Sequence, residues 1–150
     1  LLVTNIVYSH SVLDSIPDQK MGKKTMAHLM GGPKGQIFLS ALINTLPYLM
    51  VVAAVAIKVF SLPVSVDGLH WAYLAVLLIF PVSLWLVGSL NDHVTGKETS
   101  LEPRKWMGNM GDWENYKKAG VAWFLLRWLT ARNIVTRFCL IIIVVNFIVG

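Results

Sequence analysis

Three long apolar runs, separated by loops that hold most of the charge, constrain this chain more than any other feature. A bilayer core of about 30 Å is crossed by about 20 helical residues. Ile37–Leu62 has that length and is interrupted by Ser40, Asn44, Thr45 and a late Lys58, which can reach the interface. Leu69–Leu90 is a second such run, with Trp71 and Tyr73 near one end and Pro81 inside it. Ile134–Val149 is a third, and reaches spanning length if its helix starts near Ala131. Apolar residues make up 55% of the 150 positions and charged ones 14%, against about 25% charged in an average soluble domain. A soluble chain this short buries only roughly two-thirds of its unfolded surface, so lipid must solvate part of it. Without water, backbone groups have to pair inside each segment, which predicts an all-α, polytopic transmembrane helical bundle with spans at 37–62, 69–90 and 131–149.

Loop charge gives the sidedness. Lys20, Lys23, Lys24 and Lys34 precede the first full span, and Lys97, Arg104, Lys105, Lys117, Lys118, Arg127 and Arg132 lie between the second and third. The short link Pro63–Gly68 carries no Lys or Arg, only Asp67. The positive-inside bias then places loops 14–36 and 91–133 in the cytoplasm and the acidic link outside, as in a multi-pass protein of the cell membrane. The same bias explains the excess of 13 Lys and Arg over 8 Asp and Glu, so no nucleic-acid partner is inferred. The sole cysteine, Cys139, sits in an apolar run and offers neither a disulfide nor a thiol–metal site. The opening residues 1–13 read as the tail of a preceding helix, and the chain as a piece of a longer one.

Residues 91–130 read as a cytoplasmic or interfacial loop. Within it, Trp113–Leu129 mixes Trp113, Tyr116, Trp123, Phe124 and Trp128 with Glu114, Lys117, Lys118 and Arg127, a pattern suited to a helix lying at the headgroups or continuing into the last span. Interfacial anchoring is the reading favoured for its tryptophans; capping a site or docking a membrane-protein partner are the others. Asn44 and Asn146 lie at membrane depth and should face other helices. Arg132 and Arg137 are expected to snorkel toward phosphates.

One segment carries chemistry. Asp14-Ser15-Ile16-Pro17-Asp18-Gln19-Lys20-Met21-Gly22-Lys23-Lys24-Thr25-Met26-Ala27 places two carboxylates and three lysines at the end of an apolar helix. Helical residues four apart share a face, so Asp14 and Asp18 are positioned to share one divalent ion. Mg²⁺ suits them, because it binds through one or two carboxylates plus waters and phosphate oxygens. Lys23 and Lys24 then supply point charges for the phosphate. Pro17 is tolerated in a first turn, with Ser15 as a candidate N-cap and Asp18 three residues later. His10, one turn before Asp14, and Tyr8 are candidate pocket residues; a plain polar role near a helix end is the alternative for His10. Solvated loop charge is the alternative for the whole segment.

Asp-x-x-x-Asp-x-x-x-Gly-Lys-Lys-Thr-x-Ala resembles the second aspartate-rich motif of the UbiA family of intramembrane prenyltransferases, and the layout of one helix before it and three spans after it is similar to that family's C-terminal portion. The resemblance implies part of a nine-helix bundle that moves an isoprenoid group from its diphosphate to a hydrophobic acceptor: a quinone precursor, a chlorophyll-type tetrapyrrole, a carotenoid or an archaeal lipid. It implies Asp14 and Asp18 as Mg²⁺ ligands and Lys23 or Lys24 as diphosphate contacts, with membrane lipid around the bundle. The family's first acidic motif is missing from these residues, and Asn91-Asp92-His93, read as a loop or helix end, does not replace it. The 150 residues are therefore expected to be inactive alone. A non-catalytic membrane subunit that keeps the scaffold and binds lipid or pigment is the rival reading.

Overall fold

The computed structural model describes residues 1–61, 68–97 and 102–149; the link around Asp67 lies outside them. Helix α1 (Leu2–Leu13) meets the short α2 (Ser15–Lys20) at Asp14, and α3 (Met26–Leu29) is little more than a turn. The long α4 (Pro33–Val59) follows, then a 3-10 stretch (Trp71–Ile79) leading into α5 (Phe80–Val94). A 3-10 turn (Lys105–Met107) and α6 (Trp113–Lys118) occupy the polar link before α7 (Ala122–Val149). No strand occurs among the described residues. Pro33–Val59, Trp71–Val94 and Ala122–Val149 are long and apolar enough to cross a membrane.

Local chemistry accounts for the boundaries. Pro33 starts α4, where its missing N–H costs no bond, and the helix continues unbroken through the buried Pro47. The second span changes geometry at Pro81, the second residue of α5. A proline ring clashes with the preceding α-turn, and the residues before it take the tighter 3-10 form. Residues 91–130 are less of a loop than expected. Helix α5 runs on to Val94, and α7 begins at Ala122 rather than near Ala131. Gly120, at φ +70°, separates α6 from α7, so the expected interfacial helix over Trp113–Leu129 is split and its second half joins the last span.

The chain folds back so that both basic stretches share one end of the bundle. Helix α1 runs antiparallel to α4: Tyr8 Oη donates to the Gln36 carbonyl at 3.0 Å and Asn5 pairs with Asn44. At the same end, His93 of α5 meets the Leu13 carbonyl at 3.2 Å, and Arg127 Nε of α7 donates to the Ser89 carbonyl at 3.1 Å. At the other end, Tyr73 Oη donates to Asn146 Oδ1 at 3.1 Å. Outward faces stay apolar, with Phe147 90% and Leu78 80% exposed, which suits a lipid surround.

Lipid tails are as apolar as leucine, so apolar burial alone does not draw such helices together; close packing and polar bonds do. Tyr48 sits at the centre, its ring edge-on to Phe80 and Phe138 with centroids 5.0 and 5.4 Å apart. Its hydroxyl is 2.8 Å from Ser83 Oγ, joining α4 to α5. Asn5 and Asn44 exchange reciprocal amide bonds, each 3.0 Å. Asn44 and Asn146 thus both face other helices, as expected. Replacing Asn44 by Ala should destabilise the bundle by about 1 kcal/mol, within the range of about 0.6–2 kcal/mol for interhelical polar bonds, read by unfolding in micelles. An unaltered midpoint would show that Asn5 finds equal partners without it.

The Trp-rich link docks on the protein itself. Asn133 Nδ2 donates to the carbonyls of Met107 and Asn109 at 3.0 and 2.9 Å, and Arg132 donates to the Asn109 carbonyl at 3.1 Å. Arg137 reaches the Trp106 carbonyl. Both arginines, expected to snorkel, donate to carbonyls of this turn. Gly108, at φ +97°, packs so closely on Asn133 and Arg137 that a side chain would clash. Outside the spans, the hydrogen bond to Glu102, then the charges of Glu102 and Glu114, raise the Lys117 ammonium above the usual lysine range.

Candidate functional site

The acidic segment is built on a helix that survives its own proline. Asp14 N–H donates to the His10 carbonyl at 3.0 Å and Asp18 N–H to the Asp14 carbonyl at 2.9 Å, so helical bonding crosses the α1–α2 joint. Pro17 has no N–H for the Leu13 carbonyl four residues back. His93 occupies that vacant acceptor, its Nε2 donating at 3.2 Å while its ring stacks on Trp123 at 5.2 Å. Asn91-Asp92-His93 is therefore no detached loop; it closes α5 and braces the joint that carries Asp14. Ser15 is not the N-cap either. It is the first residue of α2, and its hydroxyl donates back to the Val12 carbonyl at 2.7 Å.

Asp14 and Asp18 both line one open cleft of about 440 Å³, together with His10 and Ser11. Its apolar walls are Ile6 and Val7 from α1 and Trp128 from α7, and Thr25 closes it beside the lysine turn. His10 Nε2 lies 2.8 Å from Asp14 Oδ2, and the imidazole meets the Phe124 ring edge-on at 5.1 Å. Both partners of this pair are substantially exposed; such contacts contribute about 1 kcal/mol or less, and this one serves to orient the carboxylate.

The turn after α2 is held by hydrogen bonds from its backbone amides. Lys23 N–H donates to the Asp18 carbonyl at 2.9 Å, and Ala27 N–H donates to Ser11 Oγ at 3.0 Å, tying α3 to α1. Lys23 and Lys24 are exposed on this turn. They flank the cleft rather than line it. Tyr8 does not belong to the site: it is 1% exposed, facing α4 in the core.

The residues suit Mg²⁺ in part. Two carboxylates on successive turns face one cleft, and an all-oxygen donor set is what that ion prefers. Among the described residues no group of three or more His, Cys, Asp or Glu side chains could hold a metal, so waters and phosphate oxygens would complete the shell.

The places of Trp128 and Thr25 on the cleft escaped the sequence reading, and so did the bracing role of His93. A helix started at Ala122 would have placed Phe124 and Trp128, four apart, on one face; the mixed charge around them pointed to an interface instead. No family model, curated protein or solved structure matches this chain.

Proposed function

We propose that this chain carries the diphosphate-binding half of an intramembrane prenyltransferase of the kind its acidic motif resembles, moving an isoprenoid group to a hydrophobic acceptor. The observation that carries the reading is the cleft itself, where Asp14 and Asp18 stand at the polar end of walls formed by Ile6, Val7 and Trp128. An isoprenoid diphosphate has the same polarity, charged at one end and apolar along the rest.

In this reading Asp14 and Asp18 hold Mg²⁺, with His10 fixing the rotamer of Asp14. When bound, the ion supplies positive charge against the diphosphate. Lys23 and Lys24 contribute point charges from the turn above, and Ile6, Val7 and Trp128 receive the isoprenoid chain and exclude water from it. Charge placed in advance where a leaving group develops its own favours the transition state over the ground state. The end of the bundle bearing the basic stretches is proposed to face the cytoplasm.

The test is binding of farnesyl diphosphate to the purified chain, with and without Mg²⁺. Binding that rises with Mg²⁺ is expected. Reversing Lys23 and Lys24 to Glu should weaken it about tenfold or more, since two attractive charges become repulsive, while leaving binding of farnesol unchanged. Equal losses for both ligands would point to misfolding, and binding indifferent to the ion would remove the reading.

A further inference from the structure

The turn at Lys105–Met107 gathers cationic side chains on the flank of the bundle, not at its end. Its Trp106 ring meets Trp85 edge-on at 5.5 Å, and Trp85 is the fifteenth of the 24 residues of Trp71–Val94. Arg137, which donates to the Trp106 carbonyl, is the sixteenth of the 28 residues of α7. The turn therefore stands beside the middle of two helices long and apolar enough to cross a membrane.

Two guanidiniums converge on Trp106. Arg137 holds its carbonyl, and Arg104 lies over its ring, 6.0 Å from the centroid. Lys105 is exposed beside them, and Arg132 binds the other end of the turn at the Asn109 carbonyl. Carbonyls accept hydrogen bonds but neutralise no charge. The bond from Arg137 uses Nη1 at the surface and, among the described residues, leaves Nε and Nη2 as donors. Nearby carboxylates are engaged elsewhere: Glu102 and Glu114 flank Lys117, and Asp112 caps α6 through Asn115. Among the described residues Arg104, Lys105, Arg132 and Arg137 make no ion pair. Charge beside a spanning helix is costly without a counter-ion.

We propose that this turn is a docking surface for an anionic phospholipid, the bilayer itself supplying the ligand. The phosphate accepts from Arg137 Nε and Nη2, which form one side of the planar guanidinium fork. Arg104 and Lys105 add positive charge around it. The occupant is a lipid and not a soluble anion because the helix offers its acyl chains a surface. Leu140 and Val144, three and seven positions after Arg137 and so on its face of α7, are 56% and 47% exposed. Basic surfaces beside spanning helices recognise acidic headgroups in this way. The site stands on its own atoms and does not depend on the prenyl-transfer reading.

The test titrates the chain, purified in neutral maltoside micelles, with dihexanoyl phosphatidylglycerol, dihexanoyl phosphatidylcholine and inorganic phosphate. Saturable binding of phosphatidylglycerol is expected, about tenfold tighter than either of the others. Arg137→Gln should weaken it about tenfold, and Arg137→Lys, which keeps the charge without the fork, should recover part. Arg104→Gln combined with Lys105→Gln, which leaves the Arg137 and Arg132 bonds in place, should weaken it about fivefold. Lys20→Gln combined with Lys34→Gln, in the other basic stretch, should leave it unchanged. Equal binding of the two lipids, tighter binding of inorganic phosphate, or wild-type affinity in both the Arg137→Gln and the Arg104/Lys105 variants would each overturn the proposal. So would an equal loss in the Lys20/Lys34 variant, which would reduce the effect to general charge.

Discussion

Changing Asp14 and Asp18 together to Asn should lower the proposed Mg²⁺-dependent affinity for an isoprenoid diphosphate about 100-fold or more, with helix content and membrane insertion unchanged. Charges about 4 Å apart interact by about 4 kcal/mol at an effective dielectric of 20. If desolvation and residual solvent halve that for the ion with each carboxylate, about 2 kcal/mol per aspartate remains, above the 1.4 kcal/mol that makes a tenfold change. Asn keeps the size and one carbonyl oxygen of the side chain and removes only charge. The fold tolerates this, because the structural bonds at both positions are main-chain: Asp14 N–H to His10 and Asp18 N–H to Asp14. Only one side-chain pairing is weakened, the exposed one between Asp14 and His10, and it adds little. The measurement is calorimetric titration over a range of Mg²⁺, beside circular dichroism. Wild-type affinity in the double variant would leave the carboxylates without a metal role.

Removing Arg127 should be the most damaging single change to stability. Its side chain is 3% exposed between α5 and α7, with Nε on the Ser89 carbonyl and Nη1 on the Trp123 carbonyl at 3.1 and 2.6 Å. Asp92 is its electrostatic counterpart across the α5–α7 interface. Arg127→Ala strips the donors from two carbonyls and one charge from Asp92, and leaves a cavity among packed helices. Breaking a buried charged interaction on one side costs about 3–5 kcal/mol; the basic residues at the same end argue for the lower part of that range. The unfolding midpoint in micelles reads it. Arg127→Lys recovers only part, because an ammonium cannot span both carbonyls as a planar fork does. A midpoint within about a degree of wild type for Arg127→Ala would mean that Ser89 and Trp123 find other donors. The same variant should also loosen the His93–Leu13 brace, since Trp123, on which His93 stacks, lies one turn from Arg127.

Part of the site was readable from spacing and part was not. Asp14 and Asp18 sharing a face needs only helical periodicity, and the backbone bond across Pro17 preserves that periodicity. Tyr8 has the same local logic but a different fate. Which face of α1 meets α4 depends on the Asn5–Asn44 pair, thirty-nine positions apart in the chain, and that pair turns Tyr8 inward to Gln36. Arg132 and Arg137 read as headgroup seekers because each was weighed against lipid alone; the turn at Trp106–Asn109 supplies carbonyl acceptors within the protein.

What the residues determined unaided was an all-helical chain with three helices long and apolar enough to span a membrane. Runs of apolar side chains long enough for a bilayer dictate helices, since only a helix satisfies its own backbone where water is absent, and an acidic motif spaced by four puts its carboxylates on one side. What tertiary structure alone decided was the company each group keeps. Pro17 frees a carbonyl by local chemistry, yet nothing local says that His93 will take it; nor does any periodicity bring Trp128 to the cleft of Asp18. Such meetings are set by which helix faces pack, and packing is a property of pairs of segments far apart in the chain.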